Sequence, residues 1–208
     1  MIYLTIYNMN YAKIHPFYQE FEISNFSSGK LRLIEPKIEQ APQTLPWVLN
    51  HEVVQYMGAD FDGVDLKTEE KRIHDIINNP HEYSWMIELD GKLIGNVSLN
   101  SIDEKTKLKG AKSADLAILI GDPNQWGKSI ASNILPVVLN WAFNIADFQF
   151  ILGRCLQENL GSRRMLEKSG FKYNGTTPYE KLVNGIQTSW QDFELSKQDY
   201  CKLKNTYR

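Results

Sequence analysis

Apolar positions along the chain switch between a period of two and a period of about 3.6, and the switches mark out the elements. Leu31-Arg32-Leu33-Ile34-Glu35 alternates as a first strand that Pro36 ends. Between residues 42 and 57, Leu45, Val48, Leu49 and Val53 recur at helical spacing, with Thr44 as a candidate cap ahead of Pro46. Residues 68 to 77 repeat that spacing and stop at Asn78-Asn79-Pro80. Tyr83 to Leu89 and Lys92 to Asn100 form a hairpin around Asp90-Gly91, a strong turn pair. Leu116 to Ile120 predicts a central strand, and residues 128 to 145 a long helix that Pro136 should kink or locally break. A strand over 148 to 156 and a helix over 160 to 169 follow, the latter stopped by Gly170. Residues 171 to 181 and 186 to 196 close the chain as a hairpin across Asn184-Gly185. Strands and helices mix without a regular βαβ repeat, which predicts an α+β domain on a mixed sheet.

Composition narrows the class. With 208 residues, 42% hydrophobic and 12% aromatic, the chain has enough apolar surface for one sizeable core, which excludes wholesale disorder. A formal net charge of −2 argues against a duplex-binding protein, which carries a basic face. Two cysteines, Cys155 and Cys201, fit a reducing cytosol, with Cys155 read as a small buried hydrophobe. No run approaches the ~18 apolar residues of a membrane span. Met1 to Asn8 lacks the basic flank and cleavage site of a secretory signal. Lys105 to Lys112 reads as a charged loop. His15, His51, His74 and His81 show no metal-ligand spacing and are read as surface or acceptor-pocket residues; no metal is expected.

The stretch from Ala114 to Ala131 carries the chemistry. A β-like run, ending in Leu119-Ile120-Gly121, meets the turn Asp122-Pro123-Asn124-Gln125-Trp126-Gly127-Lys128-Ser129, and a helix pattern opens at Ile130-Ala131-Ser132. Unpaired N–H groups at a helix start, with the positive end of the helix dipole behind them, form an anion cradle suited to a phosphate or pyrophosphate. A nucleotide P-loop is one carrier of such a phosphate, but its pattern needs glycine at position 122, where Asp122 stands.

The same residues resemble motif A of the GNAT N-acetyltransferases, in its RimJ/RimL-like form, with Trp126-Gly127-Lys128-Ser129-Ile130-Ala131 as the hexad. Trp126 replaces the family's Gln or Arg and Ser129 its central glycine; Ser129 is accommodated there if its φ is helical. Three further segments are similar to the family in the right order: Trp47 to Gly58, Glu158 to Phe171, and Tyr179 to Gly185. The resemblance covers about residues 30 to 198 and implies a single domain over 30–208, its mostly antiparallel mixed sheet flanked by helices. Residues 1–29 form an N-terminal extension: an extra strand, a lid or a partner surface.

What the resemblance implies about function is specific. Acetyl-CoA is the co-substrate, its pantetheine beside Leu119, Ile120 and Gly121, its pyrophosphate on the amides from Gly127 to Ser132. A bulge in the central strand would splay it from the strand at 148 to 156. Asn159 aligns with an asparagine that reaches the pantetheine; a helix cap is its other reading. Ser162 aligns with a nearby hydroxyl that, or a bound water, can protonate the thiolate, because Leu166 occupies the place of the tyrosine acid of many relatives. Tyr173 and Tyr179 lie nearby in sequence. Asp115, Glu180 and, third, Glu88 are candidate bases, each with an ordinary surface role as its alternative. The acceptor is a primary amine of a protein N-terminus, a polyamine or another small molecule, with no nucleic acid or membrane partner and with a homodimer left open. A catalytically inactive CoA-binding sensor or assembly protein is the alternative function.

Overall fold

The computed structural model describes residue 15 and residues 17–24, 26–102, 111–183 and 186–206. The charged loop up to residue 110 and the Asn184-Gly185 turn lie outside them. The described strands are β1 (Phe21–Ile23), β2 (Leu31–Ile34), β3 (Tyr83–Leu89), β4 (Lys92–Asn100), β5 (Ser113–Ile120), β6 (Phe150–Leu156), β7 (Lys172–Val183) and β8 (Ile186–Ser196). They form one sheet in the order β1-β2-β3-β4-β5-β6-β8-β7. Only β5 and β6 run parallel; the remaining neighbours are antiparallel. The α+β reading with a mostly antiparallel sheet therefore holds. The β3–β4 hairpin turns on Asp90 (φ 50°) and Gly91 (φ 82°), the paired positive φ values of a type I′ turn.

The helices are α1 (Ala41–Val48), α2 (His51–Val54), α3 (Leu66–Ile77), α4 (Ile130–Asn144), α5 (Leu160–Lys168) and α6 (Lys197–Thr206). On one sheet face α4, α5 and α6 bury the larger core, including Leu135, Trp141, Phe143, Leu166 and Tyr200. On the other, α1 to α3 cover β2 to β5 through Trp47, Val53, Ile73 and Ile77 against Met86 and Leu93. Thr44 is not a cap: α1 begins three residues earlier, and the buried Thr44 hydroxyl donates to the Glu69 carboxylate and to Ala41 O (3.3 Å). Glu69, 1% exposed, also accepts from Arg72 Nε and Nη2 (both 2.8 Å). Burial alone would raise its pKa, but the bonds from Arg72 and Thr44 hold it below the ordinary value.

Three expectations are corrected here, and one helix is added. The pattern over 42–57 is two helices, because the Asn50 side chain accepts from Glu52 N–H (3.0 Å) and restarts the chain as α2. Pro136 does not interrupt α4: both it and Ser132 are exposed, so the carbonyl left without a donor faces water. His15 is not a surface residue but buried at 1% exposure, its ring 5.1 Å from Tyr83, and burial pushes its pKa down to about 4 against a backbone bond to Ile77. Finally, α6 has no counterpart in the periodicity reading.

The described part of the N-terminal extension is built into the core. β1 pairs along β2, the carbonyl of Gln19 accepts Trp85 Nε1 (2.8 Å), and that of Phe17 accepts Trp141 Nε1 (2.9 Å). Both tryptophans are fully buried, and an unpaired indole N–H there would cost about 1–3 kcal/mol. Of the three readings of this segment, an extra strand is the one observed in the described residues.

Candidate active site

The two parallel strands separate. β5 pairs with β6 from Ser113↔Phe150 to Leu116↔Gly153 and no further, while β5 continues on β4 to Ile120 and β6 on β8 to Leu156. Gly121 N–H donates to Ile94 O (2.8 Å), which fixes the phase of the β4–β5 ladder. Antiparallel alternation then directs the peptide groups of Ala117 and Leu119 to β4 and those of Ile118 and Ile120 into the gap. The register of β5 with β4 has no shift up to Ile120; the expected irregularity comes just beyond it, where the N–H groups of both Gly121 and Asp122 donate to Ile94 O (2.8 and 3.2 Å), while β6 follows β8 along its whole length. At the end of β5, Gly121 lets Trp47 lie against the backbone; a Cβ there would meet the indole at 2.2 Å.

Beyond Gly121 the chain turns on its own contacts. Asp122 accepts from Asn124 N (3.1 Å), Asn124 Nδ2 (3.0 Å) and Lys92 Nζ (3.1 Å). Burial works to raise its pKa, yet the Lys92 and Asn124 bonds keep it lowered, so its charge is held inside the turn. Trp126, 45% exposed, folds back so that Nε1 donates to Ile120 O (2.8 Å). Of the groups facing the gap, that leaves Ile118 N–H and C=O and Ile120 N–H. Exposed Lys128 reaches Gln125 Oε1 (3.3 Å).

The condition attached to Ser129 is not met. The residue's φ is not helical but 60°, with ψ 19°, because the chain must reverse through Gly127 (φ 74°) and Ser129 to enter α4. A serine caps a helix from extended backbone; from the left-handed region its hydroxyl makes no cap bond. The first helical bond is Asn133 N–H to Ser129 O (3.1 Å), so the N–H groups of Ile130, Ala131 and Ser132 have no partner in the helix.

The second helix at the gap is α5. Asn159 N–H bonds Leu156 O (2.9 Å) at the end of β6, and Asn159 Oδ1 accepts from Ser162 N–H (3.0 Å). The asparagine is thus a cap, and its amide N–H groups have no acceptor among the described residues. Leu166 is buried against Gly153, where a Cβ would come within 2.7 Å of its side chain. Cys155 is buried as expected, and burial pushes its thiol up to about 11, so no thiolate nucleophile stands here.

The candidate bases do not converge. Asp115 lies on the α1–α3 side of the sheet, paired with Leu152 just inside the closed end of the gap. Glu180 is exposed on edge strand β7, where the register with β8 shifts between Pro178 and Leu182. β6 and β8 stand between β5 and β7, a separation of roughly 14 Å. Glu88 is excluded by distance and by use: β4 intervenes, and its carboxylate accepts from Arg32 Nη1 (3.1 Å). Tyr173 packs edge-on to Phe193, with its hydroxyl on Thr176, whereas Tyr179 packs on Trp190 at 5.2 Å. Arg154, Trp190 and Asp192 were missed by sequence reasoning. The available signal was an arginine in the otherwise apolar run Phe150 to Leu156. Among the described residues no group of three or more His, Cys, Asp or Glu can hold a metal, and no helix is long and apolar enough to cross a membrane.

A mostly antiparallel sheet split between two parallel strands, with an uncapped helix start beyond the split, is the GNAT acyltransferase fold. Spermidine N-acetyltransferase from Vibrio cholerae, solved with CoA and spermine, superposes with a TM-score of 0.70 at 22% identity over 82% of this chain and 96% of that one. The acetyl transferase of Salmonella typhimurium that modifies the N-terminal serine of ribosomal protein L7/L12 gives 0.69 at 16% identity over 86% and 99%. The family model for the acetyltransferase (GNAT) domain matches residues 30–172, and the chain belongs to that family. A probable N-acetyltransferase of Bacillus subtilis, YjcK, is 31% identical over 106 residues, 51% of this chain and about half (54%) of that relative's length.

Proposed function

We propose that this chain is an acetyl-CoA-dependent N-acetyltransferase of the RimJ/RimL-like branch, acting directly on a primary amine in the cytosol. One observation carries the reading: the unpaired edge at Ile118 and Ile120 leads straight to the uncapped N–H groups of Ile130, Ala131 and Ser132. An extended amide chain ending in a pyrophosphate needs that sequence of partners. Leu119, Ile120 and Gly121 line the pantetheine path under this reading. Trp126, Gly127, Lys128 and Ser129 frame the pyrophosphate, and Asn159 offers its free amide N–H groups to the pantetheine.

In the reaction the amine nitrogen bonds to the thioester carbon, the C–S bond breaks, and the sulfur leaves as a thiolate. Asp115, through water, takes the proton that an alkylammonium of pKa ~10.4 must lose. Ser162 lies near enough to the start of α5 to hand a proton to the thiolate, which at pKa ~8.5 is already a tolerable leaving group. Glu180 sits too far along the edge to share this step and serves the outer rim of the acceptor site. The buried Cys155, its thiol pushed up to about 11, supports direct transfer over a covalent thiol intermediate at that position.

Calorimetry checks the co-substrate: coenzyme A binds in the micromolar range or tighter, and no heat removes the reading. The buried Leu166 favours the inactive-sensor alternative, and free-thiol release on an amine panel decides between them. Light scattering on the purified chain decides whether a homodimer forms.

A further inference from the structure

We infer that the acceptor is a zwitterion, a primary amine with a carboxylate close by as in a free amino acid, held between Asp115 and Arg154. This deepens the acetyltransferase reading and rests on it.

Arg154 is the first residue of β6 after the last β5–β6 pair, at the closed end of the gap. Its neighbour Cys155 belongs to the core under α4 and α5, so alternation sends Arg154 to the opposite face, where its side chain is 54% exposed. The guanidinium is fixed before any ligand arrives. Nε and Nη2 donate to Asp192 Oδ1 (3.0 and 2.8 Å), the other Asp192 oxygen takes the Thr177 hydroxyl (2.6 Å), and the Trp190 ring lies 5.6 Å away. Trp190 is itself wedged between Tyr179 and the backbone of Gly58, where a Cβ would meet its ring at 2.6 Å. Asp192 occupies one edge of the guanidinium, and Nη1 keeps its N–H groups for a second carboxylate. A planar fork held in this way loses little freedom on binding one.

Asp115 stands diagonally across the gap. Its register partner Leu152 is two residues before Arg154 on the same face, so the two side chains flank the place where β5 and β6 part. Asp115 has no hydrogen-bond partner among the described residues. The face is therefore bipolar. Asp115 supplies the negative group and the remaining Nη1 edge of Arg154, one row on, the positive one; Glu194, opposite Leu152 on β8, itself faces Lys172 on β7. Of the other charges nearby, Asp192 is matched by Arg154, Lys172 pairs with Asp199 (2.8 Å), and Glu180 lies on the edge strand. An ammonium against Asp115 and a carboxylate on Arg154 match both rows. A polyamine would set a second ammonium against the guanidinium, and like charges there repel.

The test compares amino acids with their decarboxylated counterparts, for example phenylalanine with phenethylamine, across the twenty side chains, alongside spermidine and a short peptide amide. Free-thiol release gives kcat and KM separately. At least one amino acid is favoured over its decarboxylated partner by about tenfold or more in kcat/KM. Arg154→Met abolishes that preference through a raised KM for the amino acid, and Arg154→Lys restores part of it. An unchanged coenzyme A affinity in both variants shows that the fold survives. Equal or faster turnover of decarboxylated amines, spermidine or the peptide amide overturns the inference while acetyl transfer stands. Coenzyme A binding without turnover of any acceptor overturns it and selects the sensor. The absence of both overturns the acetyltransferase reading itself.

Discussion

The helices α3 and α4 start from residues that both belong to the capping set, and they start in opposite ways. At α3, Asp65 is extended (φ −120°), and its Oδ1 accepts Thr68 N–H (2.8 Å) and the Thr68 hydroxyl (2.7 Å). At α4, Ser129 is left-handed, and its hydroxyl caps nothing. Residue type alone does not make a cap; the backbone region decides whether the side chain reaches back. Where the chain completes its own hydrogen bonds, as at α3, the end of the helix is closed to ligands. Where it does not, three N–H groups and the helix dipole remain for an anion. The start of α5 is intermediate, since Asn159 uses its carbonyl oxygen on Ser162 and keeps its amide hydrogens.

The largest effect comes from reversing the sign of the open end. Ser129→Asp places a carboxylate where the pyrophosphate is proposed to lie, and repulsion at contact distance is worth several kcal/mol at an effective dielectric near 20. Calorimetry is expected to show coenzyme A affinity falling by at least ~100-fold. Thermal stability holds or rises slightly, because a negative charge at a helix N-terminus is favourable by about 0.3–1 kcal/mol. A change in affinity under threefold would put the pyrophosphate elsewhere and dissolve the contrast between the two helices.

Asn159→Asp separates the two uses of the intermediate case. Aspartate caps as well as asparagine, so the melting temperature stays within about 1 °C, but the amide donor is gone. Coenzyme A affinity drops by about tenfold. If Tm falls instead while affinity holds, Asn159 is a cap and nothing more. Asp65→Ala is the control at the closed end: Tm falls by about 4 °C and coenzyme A affinity is untouched. The Thr68 N–H and hydroxyl depress the Asp65 pKa in the folded state. Its contribution is therefore present in full above the unfolded value near 3.9 and lost as pH falls through the lower folded value. Melts of wild type and Asp65→Ala are expected to converge below that window and to differ by a constant amount above pH 5.

The difference between the helix starts also marks how far the sequence could be read. The turn at Asp90-Gly91, the stop at Gly170 and the turn through Gly127 into a helix are local chemistry, and the resemblance of motif A led to the right fold. The φ of Ser129 was not legible, because it follows from the direction in which α4 must leave the sheet. Nor was the parting of β5 and β6, which comes from β8 claiming the whole of β6 across a long separation. Arg154 and Asp192 are 38 residues apart and meet only through that pairing. Thr44 reads as a cap in sequence because Pro46 follows it; in space Glu69, 25 residues on, claims its hydroxyl.

The smallest effect is the most discriminating. Ser129→Gly removes the penalty of a left-handed side-chain-bearing residue, about 1–2 kcal/mol, and restores the backbone entropy that glycine adds to the unfolded chain, about 0.4–1 kcal/mol. The balance favours the folded state, so Tm is expected to rise by about 2 °C in a calorimetric scan. The hydroxyl, which caps nothing, is lost at the same time. If it donates to the pyrophosphate, coenzyme A affinity weakens by about threefold even as the protein becomes more stable. A variant that is more stable and binds equally well would assign the whole cradle to backbone N–H groups. A less stable one would mean that the serine is satisfied in its left-handed conformation, and that α4 is closed after all.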